Sequence, residues 1–206
     1  MYVPRHNQIE DRDALLAYMR AYSFAAMATA GPGGLMATHL PFVIEDSDGR
    51  ITLLAHMAKA NPQWREFATG TEAMVIFMQP HAYVSPRHYD GAQNVPTWNY
   101  VAVHAYGRPV LIEERAAKIE LQKKLIRQHD SAYLAQMDAL PPSYLDGKLA
   151  AIASFSLEVT RIDARYKLSQ DRKSAERERI ERELEAGGDS VAAETARLMR
   201  EHNPRS

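Results

Sequence analysis

The chain has 206 residues, no cysteine, 46% hydrophobic residues and a formal net charge of -1. That length suits one domain with a helical appendage, and the apolar share is enough to bury a core, so disorder is not the default reading. The missing cysteines exclude disulfides, thiolate catalysis and cysteine zinc sites. The near-neutral charge excludes the basic excess from which DNA-binding domains draw most of their affinity.

The first residues, Met1-Tyr2-Val3-Pro4-Arg5-His6, lack the basic-then-apolar layout of a signal peptide. The longest apolar run, residues 73–78, has the length of a buried strand and not of a membrane span. A cytoplasmic protein without membrane contact is expected.

In chain order, residues 11–22 read as an amphipathic helix with Leu15, Leu16 and Met19 on one face. Apolar runs at 23–29 and 35–44 flank Gly31-Pro32-Gly33-Gly34, a turn signal, and Asp46-Ser47-Asp48-Gly49 is a second turn before a strand at 51–56. Residues 61–67 read as one or two helical turns, with Asn61 as cap and Pro62 at the first helical position. Strands are expected at 73–78 and 98–111, and a helix at 113–129 with Ala117, Leu121 and Leu125 four apart. Pro141-Pro142 breaks the chain. Strict alternation at 153–162 then places Phe155, Leu157 and Val159 inward and Ser154, Ser156, Glu158 and Thr160 outward. Residues 172–185 and 190–202 read as tail helices parted by Gly187-Gly188. Six or so strands with peripheral helices predict a small β-barrel, with residues 1–171 as the domain and 172–206 as a charged helical tail.

Most candidate chemistry is answered by a plainer reading. His81, His88 and His104 stand seven and sixteen residues apart with no HExxH pattern, so packed or exposed histidines are favoured over a metal site. Ser85 lies in Val84-Ser85-Pro86, outside any nucleophile elbow. No phosphate-binding glycine loop is present, and a glycine hairpin needs no ligand. In 172–185, five cations face five carboxylates, Arg172, Lys173, Arg177, Arg179 and Arg182 against Glu176, Glu178, Glu181, Glu183 and Glu185. That balance reads as a solvated, self-paired face. No catalytic residue is assigned.

The informative stretch is 38–107. Thr38-His39-Leu40-Pro41 sets a hydroxyl and an imidazole on one strand, and His56-Met57-Ala58-Lys59-Ala60-Asn61 ends another with a cation before a helix start. A lysine beside backbone amides at a helix start favours an anion. Trp98, Asn99 and Tyr100 add aromatic surface with polar tips, suited to a planar ligand.

The chain also carries, in order, Met1-Tyr2-Val3-Pro4, Ala37-Thr38-His39-Leu40-Pro41, Asn61-Pro62-Gln63-Trp64-Arg65 and Pro80-His81-Ala82-Tyr83-Val84-Ser85. Asn94-Val95-Pro96-Thr97-Trp98-Asn99-Tyr100, Val103-His104-Ala105-Tyr106-Gly107 and Tyr166-Lys167-Leu168-Ser169-Gln170 follow. In these motifs it resembles the PaiB family of FMN-binding negative transcriptional regulators, over the whole chain to about residue 172. The resemblance implies an α+β FMN-binding split barrel, related in fold to pyridoxamine-phosphate oxidases and flavin reductases, and a homodimer with flavin at the subunit interface. It further implies that Thr38, His39, His56, Lys59 and Asn61 contact the phosphate and ribityl chain of FMN. Trp98 and Asn99 would wall the isoalloxazine ring, with Lys167 and Gln170 near the pocket. The family role is transcriptional repression, acting on DNA directly or through a partner. The alternative is a flavin-dependent oxidoreductase whose regulatory effect is indirect. No helix-turn-helix or basic stripe is legible in the chain.

Overall fold

The computed structural model describes residues 1–203. Seven strands form one sheet in the order β2-β1-β5-β6-β7-β4-β3. They are β1 (Phe24–Gly31), β2 (Gly34–Pro41), β3 (Val43–Ser47), β4 (Arg50–Ala58), β5 (Ala73–Val84), β6 (Thr97–Ile112) and β7 (Ile152–Lys167). The helices are α1 (Arg12–Ala21), α2 (Arg115–His129), α3 (Leu134–Asp138), α4 (Pro142–Ala150), α5 (Ser174–Ala186) and α6 (Ser190–His202). The chain divides into two compact units. One holds Leu16–Phe77 and His104–Ile162, the other Met1–Leu15, Met78–Val103 and the described residues from Asp163 onward.

The first of these units contains the meander. Gly31 pairs with Gly34 across the β1–β2 turn, and Gly34 takes φ +100°, which a side chain resists. Ser47 pairs with Arg50 around Asp48 and Gly49, both at positive φ, as a type I′ hairpin requires. Antiparallel β4–β7 pairing sets His56 opposite Ser154 and Leu54 opposite Ser156. The core is aromatic: Phe42 packs against Phe77 and Phe155, and Phe67 lies edge-on to Phe155 at 5.1 Å. Each such ring contributes about 1.5–3 kcal/mol of burial free energy. Leu121 and Leu125 of α2 close over Leu54, Val43 and Ile112. Glu114 caps that helix by accepting from Ala116 and Ala117 N–H, both at 3.1 Å, so it begins two residues later than its apolar periodicity suggested. Pro142 starts α4 where the Pro-Pro pair was read as a break, because proline at the first helical position has no N–H to leave unpaired.

Ser154 is the clearest departure from the alternation pattern. It was expected outward and is 1% exposed, because the outer face of its strand is covered at that level.

In the other unit, Tyr166, Leu168, Ile180 and Met199 are buried, and the end of β7 meets the end of α6, with Tyr166 edge-on to His202 at 4.6 Å and Leu168 O accepting from Asn203 Nδ2 at 3.1 Å. Within the tail, Arg197 pairs with Glu194 and Glu201, and Arg200 of α6 pairs with Glu185 of α5, but several charges of 172–185 reach outside the tail, where balanced charge had suggested self-pairing. Asp90 takes Lys173 at 3.2 Å and Arg179 at 2.5 Å, Arg87 pairs with Glu183, and Arg172 lies 4.0 Å from the Tyr89 ring. Buried Glu176 accepts from the backbone N–H of Asp90 at 2.9 Å, and that bond is the main reason its carboxyl is held below the usual carboxylate range. The charges of α5 fasten it to the 85–90 segment, a pairing between residues too far apart in sequence for local periodicity to reveal.

Candidate functional site

In the meander-containing unit, the end of β4, the start of β7 and the 3-10 helix Pro62–Thr69 frame a cleft of about 110 Å³. Lys59, Trp64, Glu113, Lys118 and Ser154 contribute its polar lining. The backbone N–H of Lys59 donates to Ala151 O at 2.8 Å and its carbonyl accepts from Trp64 Nε1 at 3.0 Å, so strand end and indole are tied together. Ser154 Oγ, buried in this wall, has no hydrogen-bond partner. A buried hydroxyl without a partner costs about 1–3 kcal/mol unless a ligand satisfies it. Two lysines and a waiting hydroxyl suit a phosphate or polyol, and one carboxylate, Glu113, limits the excess positive charge.

His56 stands opposite Ser154 in the ladder, with Nδ1 3.2 Å from Gln122 Nε2. An amide NH₂ only donates, so Nδ1 accepts and the ring proton sits on Nε2. Burial lowers the His56 pKa, favouring the neutral ring.

Thr38 and Asn61 do meet. Asn61 Nδ2 donates to Thr38 Oγ1 at 2.8 Å, and Thr38 donates to Gln63 Oε1 at 2.5 Å. Asn61 is also the expected cap, accepting from Gln63 N at 3.0 Å, though the helix it starts is 3-10. Fully buried Gln63 donates to Met27 O, Thr29 Oγ1 and, at 3.4 Å, Met36 O. Thr38 and Asn61 therefore belong to a clamp fixing the helix that carries Trp64. His39 is exposed and stacks on Phe24 at 6.4 Å.

The remaining expected site residues lie in the other unit. Trp98 is 51% exposed, with His81 and Tyr83 each 6.0 Å away, an aromatic patch on the neighbouring strands β5 and β6. Asn99 is fully buried, its amide held by Ser169 Oγ at 2.9 and 3.1 Å and by Met199 Sδ at 3.2 Å. Lys167 Nζ donates to Thr97 Oγ1 and, at 2.8 Å, to Trp98 O, and burial lowers its pKa. Gln170 closes its own turn, accepting from Leu168 N at 2.8 Å and donating to Tyr166 O.

Sequence reasoning passed over Gln63, Ser154 and Lys118. Gln63 stood inside the Asn61-Pro62-Gln63-Trp64 motif and was legible as part of it. Ser154 was hidden by its place on the polar side of an alternating strand. Among the described residues no group of three His, Asp or Glu is placed to hold a metal ion.

Residues 1–161 match the family model described as "Putative FMN-binding domain". The chain is 34% identical over 202 residues to the Bacillus subtilis (strain 168) protein named "Protease synthase and sporulation protein PAI 2", covering 97% of this chain and 96% of that one. Among solved structures, the flavocytochrome Anf3 from Azotobacter vinelandii aligns with a TM-score of 0.65 at 17% identity, over 80% of this chain and 72% of that one. The FAD and heme binding protein from Mycobacterium smegmatis aligns at 0.61 and 18%, over 78% and 73%. At such identities the structural likeness concerns the fold, which is the α+β split barrel expected from the sequence.

Proposed function

The chain belongs to the family of FMN-binding domains, and from that premise we propose that it holds FMN at the Lys59–Ser154 cleft and acts as a negative transcriptional regulator through a protein partner. The observation that carries the cofactor site is the buried, unpartnered Ser154 hydroxyl beside Lys59 and Lys118. Lys59 and Lys118 would neutralise the phosphate as point charges, and Ser154 would bond to phosphate or ribityl oxygen. The His56 ring, neutral and fixed by Gln122, presents Nε2–H as a further donor. Thr38 and Asn61 act through the clamp that sets Trp64. Bound FMN supplies a reversible electron couple, and its chemistry is its own.

A cleft of about 110 Å³ is well below the ~300–1,000 Å³ of small-molecule sites. It takes only the phosphate end, and we assign completion of the ring site to a second copy of the chain, with the exposed Trp98 patch as its wall.

The regulatory role is supported by the relative's name. Action through a partner is supported by the engagement of four tail cations, Lys173, Arg179, Arg197 and Arg200, with carboxylates, while Arg177 donates to the Arg172 backbone oxygen. A protein that binds DNA directly needs free cations for phosphate contacts.

The test is a visible absorption spectrum of the purified protein before and after FMN addition, for the parent and for Lys59→Ala. Saturable flavin binding, weakened at least tenfold by the substitution, is expected. Equal affinity in both proteins refutes the Lys59 site. Salt-sensitive retention of promoter DNA by the purified protein alone refutes the partner requirement.

A further inference from the structure

A second pocket, of about 170 Å³, lies wholly within the unit that holds the tail helices. Tyr89, Asn99, Lys167, Ser169 and Arg172 are among the residues that line it. Three features mark it as built for a ligand. Tyr89 is 8% exposed, and its hydroxyl lies beside the Arg172 guanidinium, which can only donate to it, so the hydroxyl's own proton has no acceptor. Lys167 gives N–H bonds to Thr97 and Trp98, which leaves its third N–H for something else. Ser169 sits at φ +60°, a left-handed conformation that is strained for a residue with a side chain and that gathers at functional sites. Its own side chain is locked to Asn99, so the wall is rigid.

The charges select the ligand. Lys167 and Arg172 are cationic and Asp171 stands 3.8 Å from Arg172 Nε, so the Lys, Arg and Asp residues of the lining, which also holds His6, leave one positive charge in excess. Arg165 adds a positive field at Lys167. Glu176, held by the N–H groups of Asp90 and Lys173, adds a negative field near Tyr89. A dianion is disfavoured there and a monoanion is matched. Burial raises the Tyr89 pKa and keeps its hydroxyl a donor. Val95, Pro96 and the Tyr89 ring provide apolar wall for a short carbon chain. The volume is below that of a drug-sized site.

We propose that this pocket binds the carboxylate of a small organic acid, the Tyr89 hydroxyl and the Lys167 ammonium each donating to one carboxylate oxygen. Asn99 and Lys167, which the resemblance placed near the flavin, line this pocket, but Lys59, Lys118 and Ser154, which carry the proposed FMN site, do not, so the two assignments are tested separately.

The experiment is calorimetric titration of the full chain with acetate and propionate, with orthophosphate and chloride at matched ionic strength. It is repeated for Tyr89→Phe and Lys167→Gln. Saturable acetate or propionate binding is expected, weaker by about tenfold in Tyr89→Phe, since a hydrogen bond to a charged group is lost. Tyr89→Phe removes one oxygen and nothing else, and its thermal midpoint is read alongside to show that the fold is retained. No saturable carboxylate binding, or equal affinity in both variants and the parent, overturns the site. Orthophosphate binding more tightly than either acid overturns the carboxylate assignment. Flavin absorbance in the same samples separates the two readings: its absence with acid binding intact counts against the FMN site alone.

Discussion

Replacing Gln63 with Leu keeps the volume of a fully buried side chain and removes every hydrogen bond it makes. The parent amide gives Nε2–H bonds to Met27 O at 3.2 Å and Thr29 Oγ1 at 3.1 Å and accepts from Thr38 at 2.5 Å. Each buried group left unpaired costs about 1–3 kcal/mol. The full sum overstates the loss, because Thr38 keeps Asn61 as a donor and hydroxyls rotate to new acceptors. A net destabilisation of about 2–4 kcal/mol follows. For a chain of this size that corresponds to a fall of roughly 4–16 °C in thermal midpoint. The assay is urea unfolding followed by far-UV circular dichroism, with thermal melts in parallel. Thr38→Val and the double variant complete the cycle: the double variant should cost less than the sum of the singles, because the two side chains share one bond. FMN affinity should fall with the clamp, since Gln63 fixes the helix bearing Trp64. A Gln63→Leu protein as stable as the parent, or strictly additive singles, refutes the clamp.

Gly107→Ala should destabilise by about 1–3 kcal/mol or more, because its new Cβ would lie 2.2 Å from the backbone oxygen of Glu158. Gly147→Ala, with nothing within 4 Å of its Cβ inside α4, should instead stabilise by about 0.5–1 kcal/mol; chemical denaturation midpoints of opposite sign are the check. Ser154→Ala should leave the flavin-free protein as stable as the parent or more so, since it deletes a hydroxyl without a partner, while lowering FMN affinity; a large loss of stability would show that the hydroxyl is satisfied within the fold. The depressed pKa of His56 has a definite sign. The unfolded chain takes the proton first, so its contribution is intact above about pH 6.5 and is lost as pH falls towards the folded value. His88 and His202 act in the same direction, and unfolding midpoints for parent and His56→Gln across this range isolate the His56 share; identical slopes would count against it.

Local chemistry made much of the chain legible. Both hairpins were readable because Gly31-Pro32-Gly33-Gly34 and Asp48-Gly49 meet conformational demands set within four residues. The Asn61 cap, the Leu121–Leu125 stripe and the inward Phe155 and Leu157 follow from periods that a short window contains. The ordered motifs likewise pointed to the FMN-binding family, which the match over residues 1–161 establishes.

What tertiary structure alone decided is where polar groups find, or fail to find, their partners. Ser154 is chemically an outward residue on an alternating strand; only the covering of that face makes its hydroxyl an unpaired wall of the Lys59 cleft. Asp90 is one carboxylate among many until α5 brings Lys173 and Arg179 to it. Tyr89 and Lys167 are 78 positions apart and share a pocket only because the chain returns. Hydrogen bonds and burial are satisfied in space, between residues of any separation, while a sequence exposes only the constraints that act along the backbone.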